Sequence, residues 1–265
     1  MTIRLGIIGG GVMGEAILSG VLSKGVYSAQ EICVSDPQPD RRNYIAKQYG
    51  VRVTDVNALA SVGEVAILAV KPQICAQAVE GLSSTSVPLV ISILAGVTLA
   101  QLESAIISKA IIRAMPNTPA QVGAGVTALA MGASADRSHR EIAIAIFSAI
   151  GEVVELPESL MNAVTGLSGS GPGYVSIVIE ALADGGVAAG LPRAIATKLA
   201  IQTVLGTAQL ISTSGLHPAE LKDRVTSPGG TTIAGIAQLE RSGVRSGLID
   251  AVVAATRRAE ELGKS

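Results

Sequence analysis

The first 156 residues alternate short, nearly continuous apolar runs with segments of helical periodicity, and this alternation constrains the fold more than any other feature. Strands of this kind are typical of parallel sheets that helices cover on both faces. We therefore predict an α/β domain with a doubly wound sheet. The predicted strands cover residues 4–8, 31–35, 51–53, 64–70, 89–93, 111–115, 127–131 and 152–156, with helical patterns over 13–24, 41–49, 74–82 and 99–107.

The pattern changes near Pro157, after which no strand-like run follows. The sequence Gly190-Leu191-Pro192 marks a stop and restart between two long helical segments. We therefore expect two domains, an α/β domain at 1–160 and an all-α domain at 161–265. The helical patterns of the second domain cover residues 159–165, 172–189, 193–214, 218–225, 232–242 and 244–262.

Composition and charge limit the classes of function. The chain is 48% apolar but only 2% aromatic, so small and aliphatic side chains must fill its core. A net charge of −1 argues against a nucleic-acid surface. Two cysteines and two histidines, without metal-ligand spacing, argue against a metal site and favour a reduced, cytoplasmic setting. We expect no membrane association, because we find no signal-peptide pattern and no membrane-length apolar stretch free of charges and glycines.

The segment LGIIGGGVMGEAI places Gly9-x-Gly11-x-x-Gly14 between an apolar run and a helical pattern. In this context the glycines are typical of a dinucleotide-binding turn. Gly9 would allow the tight turn, Gly11 the close approach of a pyrophosphate, and Gly14 the packing of helix on strand. The helix start at Val12 and Met13 would offer free N–H groups to the phosphates. A glycine-rich turn without a ligand is the alternative.

The stretch after the second predicted strand bears on the choice of dinucleotide. Asp36 would hydrogen-bond a ribose 2′-hydroxyl and so favour NADH. Ser35, Arg41 and Arg42 lie nearby and could receive the 2′-phosphate of NADPH, although both arginines would equally suit a solvated first helical turn. The choice between the two cofactors stays open at this level.

Three more segments follow strands at the same edge, where ligands bind in doubly wound sheets. Asn117, in the turn-forming PNTP, could hydrogen-bond a carboxamide or a substrate, or could belong to an ordinary turn. The small residues of LAG would let a flat ring approach the backbone. The candidate cofactor contacts from these segments are Val70, Lys71 and Pro72 of AVKP, Ala95 and Gly96 of ILAGV, and Asn117.

A second glycine-rich helix start lies at RVTSPGGTTIAGI, residues 224–236. Pro228 stiffens the approach, and Gly229 and Gly230 remove side chains from the helix N-terminus. Free N–H groups and the positive end of the helix dipole then suit an anion such as a carboxylate. The alternative is a plain loop before a helix. His139 and His217 lie in polar helix starts, and we interpret both as structural.

These segments together resemble the pyrroline-5-carboxylate reductases. The resemblance is carried, in family order, by IGGGVMGEAI, AVKP, RAMPNTP, VTGLSGSGPGYV, ALADGGVAAGLPR and LKDRVTSPGGTTIAGI, which extend from Ile8 to Ile236. It implies a Rossmann domain followed by an all-α dimerisation domain. It also implies that NADPH, or less often NADH, reduces a cyclic imine to L-proline in a homodimer or an assembly of dimers.

The resemblance also implies roles for residues of the second glycine-rich start. Backbone N–H groups around Ser227, Gly229 and Gly230 would bind the substrate carboxylate. Thr232 would face the imine nitrogen as the catalytic residue, whereas Thr231 occupies a position that varies in the family. Arg224 stands where relatives often carry an uncharged residue, which leaves its role open.

Two other functions compete with this interpretation. A β-hydroxyacid dehydrogenase would share the glycine turn and the helical domain, but such enzymes use a lysine on the helix after a glycine-rich segment. No lysine follows GLSGSGPGYV here until Lys198. A non-catalytic dinucleotide sensor would keep GGGVMG but would not need SPGGTT. The lack of a lysine at that position and the presence of SPGGTT both favour an imine reductase.

Overall fold

The computed structural model describes residues 2–82, 84–107 and 109–264. Its contacts divide the chain into two compact units. The first unit comprises Met1–Ser170 together with Ala254–Ser265, and the second comprises Gly171–Val253. The division lies ten residues beyond the predicted boundary at 160, and the chain end returns to the first unit.

The first unit is built on a sheet that has eight strands within the described residues, in the order β3-β2-β1-β4-β5-β6-β7-β8. All eight predicted strands are confirmed, with ends that differ by at most two residues. The six inner strands are largely buried, as apolar strands of a covered sheet are, whereas the edge strands β3 and β8 are partly exposed. They are β1 (Leu5–Ile8), β2 (Ile32–Ser35), β3 (Arg52–Thr54), β4 (Val65–Leu68), β5 (Leu89–Ser92), β6 (Ala110–Met115), β7 (Gly125–Met131) and β8 (Gly151–Glu155).

One strand departs from the predicted parallel sheet. β7 runs antiparallel to β6, with Ile112 opposite Met131 and Met115 opposite Ala128. The connection between the strands is residues 116–124, which form a 3₁₀ turn at Thr118–Val122. A parallel return needs a crossover of a dozen or more residues, so this shorter connection reverses the chain instead.

Helices cover both faces of the sheet. Successive residues of a strand point to opposite faces, so Ile7 belongs to the core that contains Phe147, and Ile8 to the core that contains Leu102. The first-unit helices are α1 (Val12–Ser23), α2 (Pro39–Tyr49), α3 (Asn57–Ala60), α4 (Cys75–Glu80), α5 (Leu99–Ala105), α6 (Arg137–Ser148) and α7 (Met161–Val164). The four-residue α3 was not predicted, because it is too short to show a period.

The second unit is helical, as predicted. A π-helical turn at Thr165–Gly169 precedes it in the chain. Its helices are α8 (Gly171–Ala188), α9 (Arg193–Ser214), α10 (Pro218–Arg224), α11 (Thr231–Arg241) and the first part of α12 (Val244–Lys264). Gly190 adopts a φ of 99°, which permits the tight reversal between α8 and α9.

Helix α9 is the one helix of the described chain that is long and apolar enough to cross a membrane, with a mean hydropathy of 1.3. Only 11% of the apolar stretch is buried within this single chain. The helix also carries Lys198 and Gly206, so it does not meet the charge-free and glycine-free pattern for which the sequence was searched.

Candidate active site

The turn between β1 and α1 has the geometry of a phosphate-binding loop. Gly9 has a φ of 106°, and a Cβ added there would lie 2.5 Å from the Ala69 carbonyl oxygen. A Cβ on Gly14 would lie 2.1 Å from the Gly9 oxygen, whereas one on Gly11 would meet nothing within 4 Å. Gly9 and Gly14 are thus required by the turn itself, and Gly11 leaves open space.

The N-terminus of α1 is uncapped by any side chain, since its N-cap residue is Gly11. Among the described residues, no acceptor is recorded for the backbone N–H groups of Val12, Met13 and Gly14. Four such groups are unsatisfied at the start of any helix, and together with the helix dipole they attract an anion. This helix start can therefore hold a pyrophosphate.

The Asp36 carboxylate is bonded to the backbone of the loops around it. Its Oδ2 accepts from the Gly10 N–H at 3.0 Å and its Oδ1 accepts from the Gln38 N–H at 2.9 Å. The Arg41 guanidinium holds the other side of the same turn, donating to the Gly10 carbonyl and to Glu15. Gly10 is thus fixed through both its N–H and its C=O, an arrangement that the motif alone does not show.

The cluster behind Arg41 is centred on Glu15. The Glu15 carboxylate accepts from the Tyr49 hydroxyl at 2.7 Å and from the Tyr44 hydroxyl at 3.1 Å. Burial alone would raise the pKa of Glu15, but its hydrogen bonds from Arg41 and the two tyrosines outweigh burial and lower it. Burial and the bond to Glu15 raise the pKa of Tyr49 to about 12. The Glu15 carboxylate therefore stays negatively charged beside the Arg41 guanidinium.

Ser35 and Arg42 flank Asp36 in different ways. The Ser35 side chain is buried, and its hydroxyl donates to Asn57 Oδ1 at 2.5 Å. The Arg42 guanidinium donates to the Asp36 and Pro37 carbonyl oxygens at 2.8 and 2.9 Å. Both arginines are thus anchored beside the end of β2, as a site for a ribose phosphate would require.

The other predicted cofactor residues lie at the carboxyl edge of the same sheet. Val70 is half-buried, with its Cγ1 3.1 Å from the position of a Cβ on Gly9. Lys71, Pro72 and Ala95 are exposed, and Gly96 has a φ of 78°. These residues follow β4, which pairs with β1, and β5, which pairs with β4, so the topology places them on the same edge of the sheet as the glycine turn.

Asn117 follows β6 and bonds to β7, so it fixes the loop between these two strands. Its Oδ1 accepts from the Val126 N–H at 2.9 Å. Its side-chain amide N–H group has no recorded acceptor in the described part of the chain and is half-buried. Asn117 therefore has both a structural contact and a free donor at the edge of the sheet.

The second glycine-rich start lies in the second unit, at the N-terminus of α11. Gly229 has a φ of 67°, and the Gly230 N–H donates to the Ser227 carbonyl at 3.0 Å. A Cβ on Gly230 would lie 2.3 Å from the Ser227 hydroxyl. The turn thus uses the N–H of Gly230 internally, although the resemblance implied that this group faces the substrate.

The helix start after this turn is open to an anion. Gly230 is the N-cap of α11 and provides no side-chain cap. No acceptor is recorded in the described residues for the N–H groups of Gly229, Thr231, Thr232 and Ile233. The Thr232 hydroxyl is half-buried and likewise has no recorded partner there, whereas Thr231 is exposed. Open donors and a free hydroxyl therefore lie together at one helix start.

Comparison with known proteins decides the family. A family model described as pyrroline-5-carboxylate reductase dimerisation matches residues 158–262, and one described as NADP oxidoreductase, coenzyme F420-dependent, matches residues 4–96. The pyrroline-5-carboxylate reductase of Synechocystis is 59% identical over the whole of both chains. The chain belongs to the pyrroline-5-carboxylate reductase family.

Solved structures of pyrroline-5-carboxylate reductases agree with this assignment. The enzyme of Coxiella burnetii has a TM-score of 0.91 and 36% identity, with complete coverage of both chains. That of Plasmodium falciparum, solved with NADP bound, has a TM-score of 0.87 and 30% identity and covers 98% of both chains. The predicted fold, an α/β Rossmann-type unit followed by helices that match the dimerisation domain, is confirmed.

Relatives outside the pyrroline-5-carboxylate reductase family show only a shared fold. A ketol-acid reductoisomerase from an uncultured archaeon has a TM-score of 0.65 at 14% identity. The full-length matches to reductases therefore decide against the β-hydroxyacid dehydrogenase and sensor alternatives.

The histidines have structural contacts in this reductase fold. His139 Nδ1 accepts from the Asp136 N–H at 3.2 Å, and His217 Nδ1 accepts from the Ala219 N–H at 3.2 Å. Each thus stabilises the start of a helix, α6 or α10. The described residues contain no cluster of three His, Cys, Asp or Glu side chains that could hold a metal ion.

Proposed function

We propose that the chain reduces the C=N bond of 1-pyrroline-5-carboxylate to give L-proline, with NADPH as the reductant. The observation that carries the proposal is that two helices, α1 and α11, begin with open N–H groups after glycine-rich turns. One start suits a dinucleotide pyrophosphate and the other a small carboxylate. The similarity to pyrroline-5-carboxylate reductases over almost the full length of the chain supports the same two ligands, a dinucleotide and a small carboxylate.

The first unit holds the cofactor in this proposal. The N–H groups from Gly11 to Gly14, with Val12 and Met13 between them, bind the pyrophosphate. Residues Val70, Lys71 and Pro72, the small pair Ala95 and Gly96, and the free amide donor of Asn117 form the surface for the nicotinamide end. NADPH supplies a hydride to the imine carbon when bound.

The preference for NADPH over NADH is part of the proposal. Both Asp36 oxygens accept backbone N–H groups, and in this proposal the carboxylate positions Gly10 in the phosphate-binding turn. Arg41 and Arg42 lie beside it, with Arg41 stacked on Tyr44 at 5.0 Å, and provide positive charge for a 2′-phosphate. The buried Ser35 then shapes the end of β2.

The α11 start holds the substrate. The N–H groups at Gly229 and at the first residues of α11 bind the carboxylate, with Ser227 and Gly230 shaping the turn. The imine nitrogen takes one proton from water before the imine carbon accepts the hydride, and the Thr232 hydroxyl oxygen accepts a hydrogen bond from the protonated nitrogen. A threonine is sufficient because the protonated imine needs orientation rather than a strong acid.

The active protein is a homodimer or an assembly of dimers. Within the second unit, all of whose residues are described, only Ala183, Ala196 and Ala200 are buried. Large apolar side chains of α9, such as Ile195, Leu199 and Leu205, are about half exposed, with values of 49%, 52% and 48%. A second copy that covers these residues provides the missing core, as the dimerisation domain model suggests.

A cytoplasmic location completes the proposal. Cys33 and Cys75 are both free thiols, which suits a reducing compartment.

The test is a spectrophotometric assay with 1-pyrroline-5-carboxylate and either NADPH or NADH. We expect substrate-dependent oxidation, faster with NADPH at equal concentration. Thr232→Ala should lower kcat by about 10- to 100-fold, the value of a hydrogen bond to a charged group, and leave NADPH affinity unchanged. The adjacent Thr231→Ala is the matched control and should retain turnover, while Thr232→Ser should recover most of it. No oxidation with either cofactor would refute the proposed function.

A further inference from the structure

Arg113, the arginine of RAMPNTP, is buried in the sheet although it carries a full charge. Its side chain is 4% exposed, on β6 between Ile112 and Ala114. The alternation of the strand places it on the face of Ile111 and Met115, which belong to the core beside α5 and α7. A charge in such surroundings costs several kcal/mol unless it is paired, so Arg113 needs a partner that offsets this cost.

The partner is Glu158, which lies 45 residues away in the chain. Arg113 Nη1 donates to Glu158 Oε1 at 3.2 Å, and the same oxygen accepts from the Leu99 N–H at 2.6 Å. Leu99 is the first residue of α5, so its N–H has no partner within the helix. Glu158 therefore joins a buried cation on β6 to the start of α5.

Two other backbone N–H groups at the start of α5, those of Thr98 and Gln101, bond to side chains of the same turn. Thr98 Oγ1 accepts from the Gln101 N–H at 3.2 Å, and the Gln101 side chain accepts from the Thr98 N–H at 2.8 Å. This capping box leaves the Leu99 N–H to the distant carboxylate. The end of the β5–α5 loop, residues 93–98, is consequently fixed by two independent sets of bonds.

This loop carries Ala95 and Gly96, two of the residues we assign to the cofactor surface. Gly96 has a φ of 78° and lies so close to the chain end that a Cβ on Gly263 would be 3.0 Å from its oxygen. Arg113 in turn lies four residues before Asn117, the donor on the neighbouring loop. Through Glu158, Arg113 thus connects β6, close before Asn117, to the end of the loop that carries Ala95 and Gly96.

We propose that Arg113 and Glu158 are positioning residues for the cofactor: their ion pair holds the loop 93–98 and the end of β6 in the arrangement that binds the nicotinamide end of NADPH. This inference rests on the proposed function. Arg113 is buried and Glu158 is 30% exposed. Because well-packed apolar residues are often as stable as a buried ion pair, we assign the pair a role in geometry rather than in stability of the sheet.

The test compares neutral replacements of the pair. Arg113→Met with Glu158→Met removes the charges and the acceptor for Leu99, whereas Arg113→Met with Glu158→Gln keeps an acceptor there. The matched control is Arg137→Met with Glu141→Gln, an exposed pair on α6 joined at 2.8 Å. NADPH binding is measured by titration of nicotinamide fluorescence, stability by urea unfolding, and KM and kcat by the assay above.

We expect the double methionine variant to unfold at a urea concentration no lower than wild type but to bind NADPH about tenfold more weakly, since misplacing a binding surface by ~1 Å can cost up to about 100-fold. The methionine–glutamine variant should recover part of that affinity, and the control should bind as wild type. KM for the imine should stay within about twofold in all three, because the substrate contacts lie on α11.

Wild-type NADPH affinity in the folded double methionine variant would overturn the inference. If that variant does not fold, Glu158→Asp decides, because it keeps the charge but withdraws the oxygen from Leu99. Weaker NADPH binding by a stable Glu158→Asp protein supports the inference, and unchanged binding overturns it. A wild-type protein that does not bind NADPH would overturn the proposed function as well, whereas binding unaffected by the substitutions overturns this inference alone.

Discussion

The two units of the chain differ in what they bury. The first unit has large apolar side chains with essentially no exposed surface on both faces of its sheet, among them Ile7, Ile67, Phe147 and Leu68. The second unit, in which every residue is described, buries three alanines and leaves many of its large apolar side chains exposed. One unit has its own core, and the other lacks one in the single chain.

The difference in buried side chains predicts a difference in how the two units are stabilised. Burial of aliphatic side chains contributes roughly 1.5–3 kcal/mol each, so the sheet can be stable by itself. Helices that pack through small residues, as where Gly186 meets Ala196, approach closely but bury little area. The second unit therefore buries little apolar surface within the single chain, and the homodimer proposed above would supply the rest of its core.

The largest effect is expected from a charge on the exposed face of α9. Leu199→Asp would place a carboxylate in the proposed interface, and a buried unpaired charge costs several kcal/mol, equivalent to about 100-fold or more in association. We expect monomers by light scattering and loss of turnover. Ile107→Asp, at a side chain that is 70% exposed in the first unit, is the control and should stay dimeric and active. A dimeric, active Leu199→Asp protein would contradict the comparison.

Replacing a large buried side chain in the core of the first unit should have the next largest effect. Phe147→Ala is expected to lower the free energy of unfolding by about 3–5 kcal/mol, by the same amount at every protein concentration. Leu205→Ala on α9 should instead make the urea midpoint more dependent on protein concentration, because it weakens association. Denaturation at two concentrations separates these cases, and equal behaviour of both variants would show that the units do not differ in this way.

Acid should destabilise the first unit through the ion pairs of Arg4, which immediately precedes β1. This guanidinium bonds Glu64 at 2.9 and 3.0 Å and Glu31 at 3.0 Å. Hydrogen bonds from Ser28, then the bond from Arg4, lower the pKa of Glu31 from 4.5 to about 2. A lowered folded-state pKa contributes stability above pH 4.5 that is lost as pH falls towards 2.

Urea unfolding of wild type and Glu31→Gln at several pH values measures this contribution. The wild-type advantage should be present at pH 7 and disappear towards pH 2, and high salt should reduce it, since the pair is largely exposed. An advantage that is constant with pH would refute the assigned linkage.

The smallest effect is expected at Arg224, the residue whose role the sequence left open. Its guanidinium bonds Glu220 at 2.7 Å on the surface of α10. Exposed pairs at this spacing contribute about 0.3–0.5 kcal/mol. Arg224→Ala should therefore keep turnover and KM within about twofold of wild type, and a larger loss of imine affinity would assign this residue to the substrate site.

Much of the fold was predictable because its determinants are local. Short apolar runs mark most of the strands, and helical period with glycine and proline stops marks α8 and α9. The positive φ of Gly9 and Gly229 also follows from their motifs. The reversed β7 could not be read from periodicity, since a strand has the same pattern in either direction, although the short β6–β7 connection contained the signal.

The candidate site was predictable in its glycine turns and less so in its side chains. The motif predicts Asp36 as a ribose contact, which stays a prediction, but does not show that its carboxylate also accepts from the Gly10 N–H. Nothing in RAMPNTP indicates that Arg113 meets Glu158, because the two are separated by two strands and a helix. Their roles in binding stay predictions that the variants above test.

The sequence by itself determined the class of each half of the chain, the two glycine-rich helix starts and the family, because periodicity, backbone freedom and motifs act over a few residues. Only the tertiary structure decided that β7 runs antiparallel, that Asp36 and Arg41 hold Gly10, that Glu158 bonds both Arg113 and Leu99, and that the second unit buries only alanines. These outcomes depend on which distant segments share a face or an edge, and that is set when the whole chain packs.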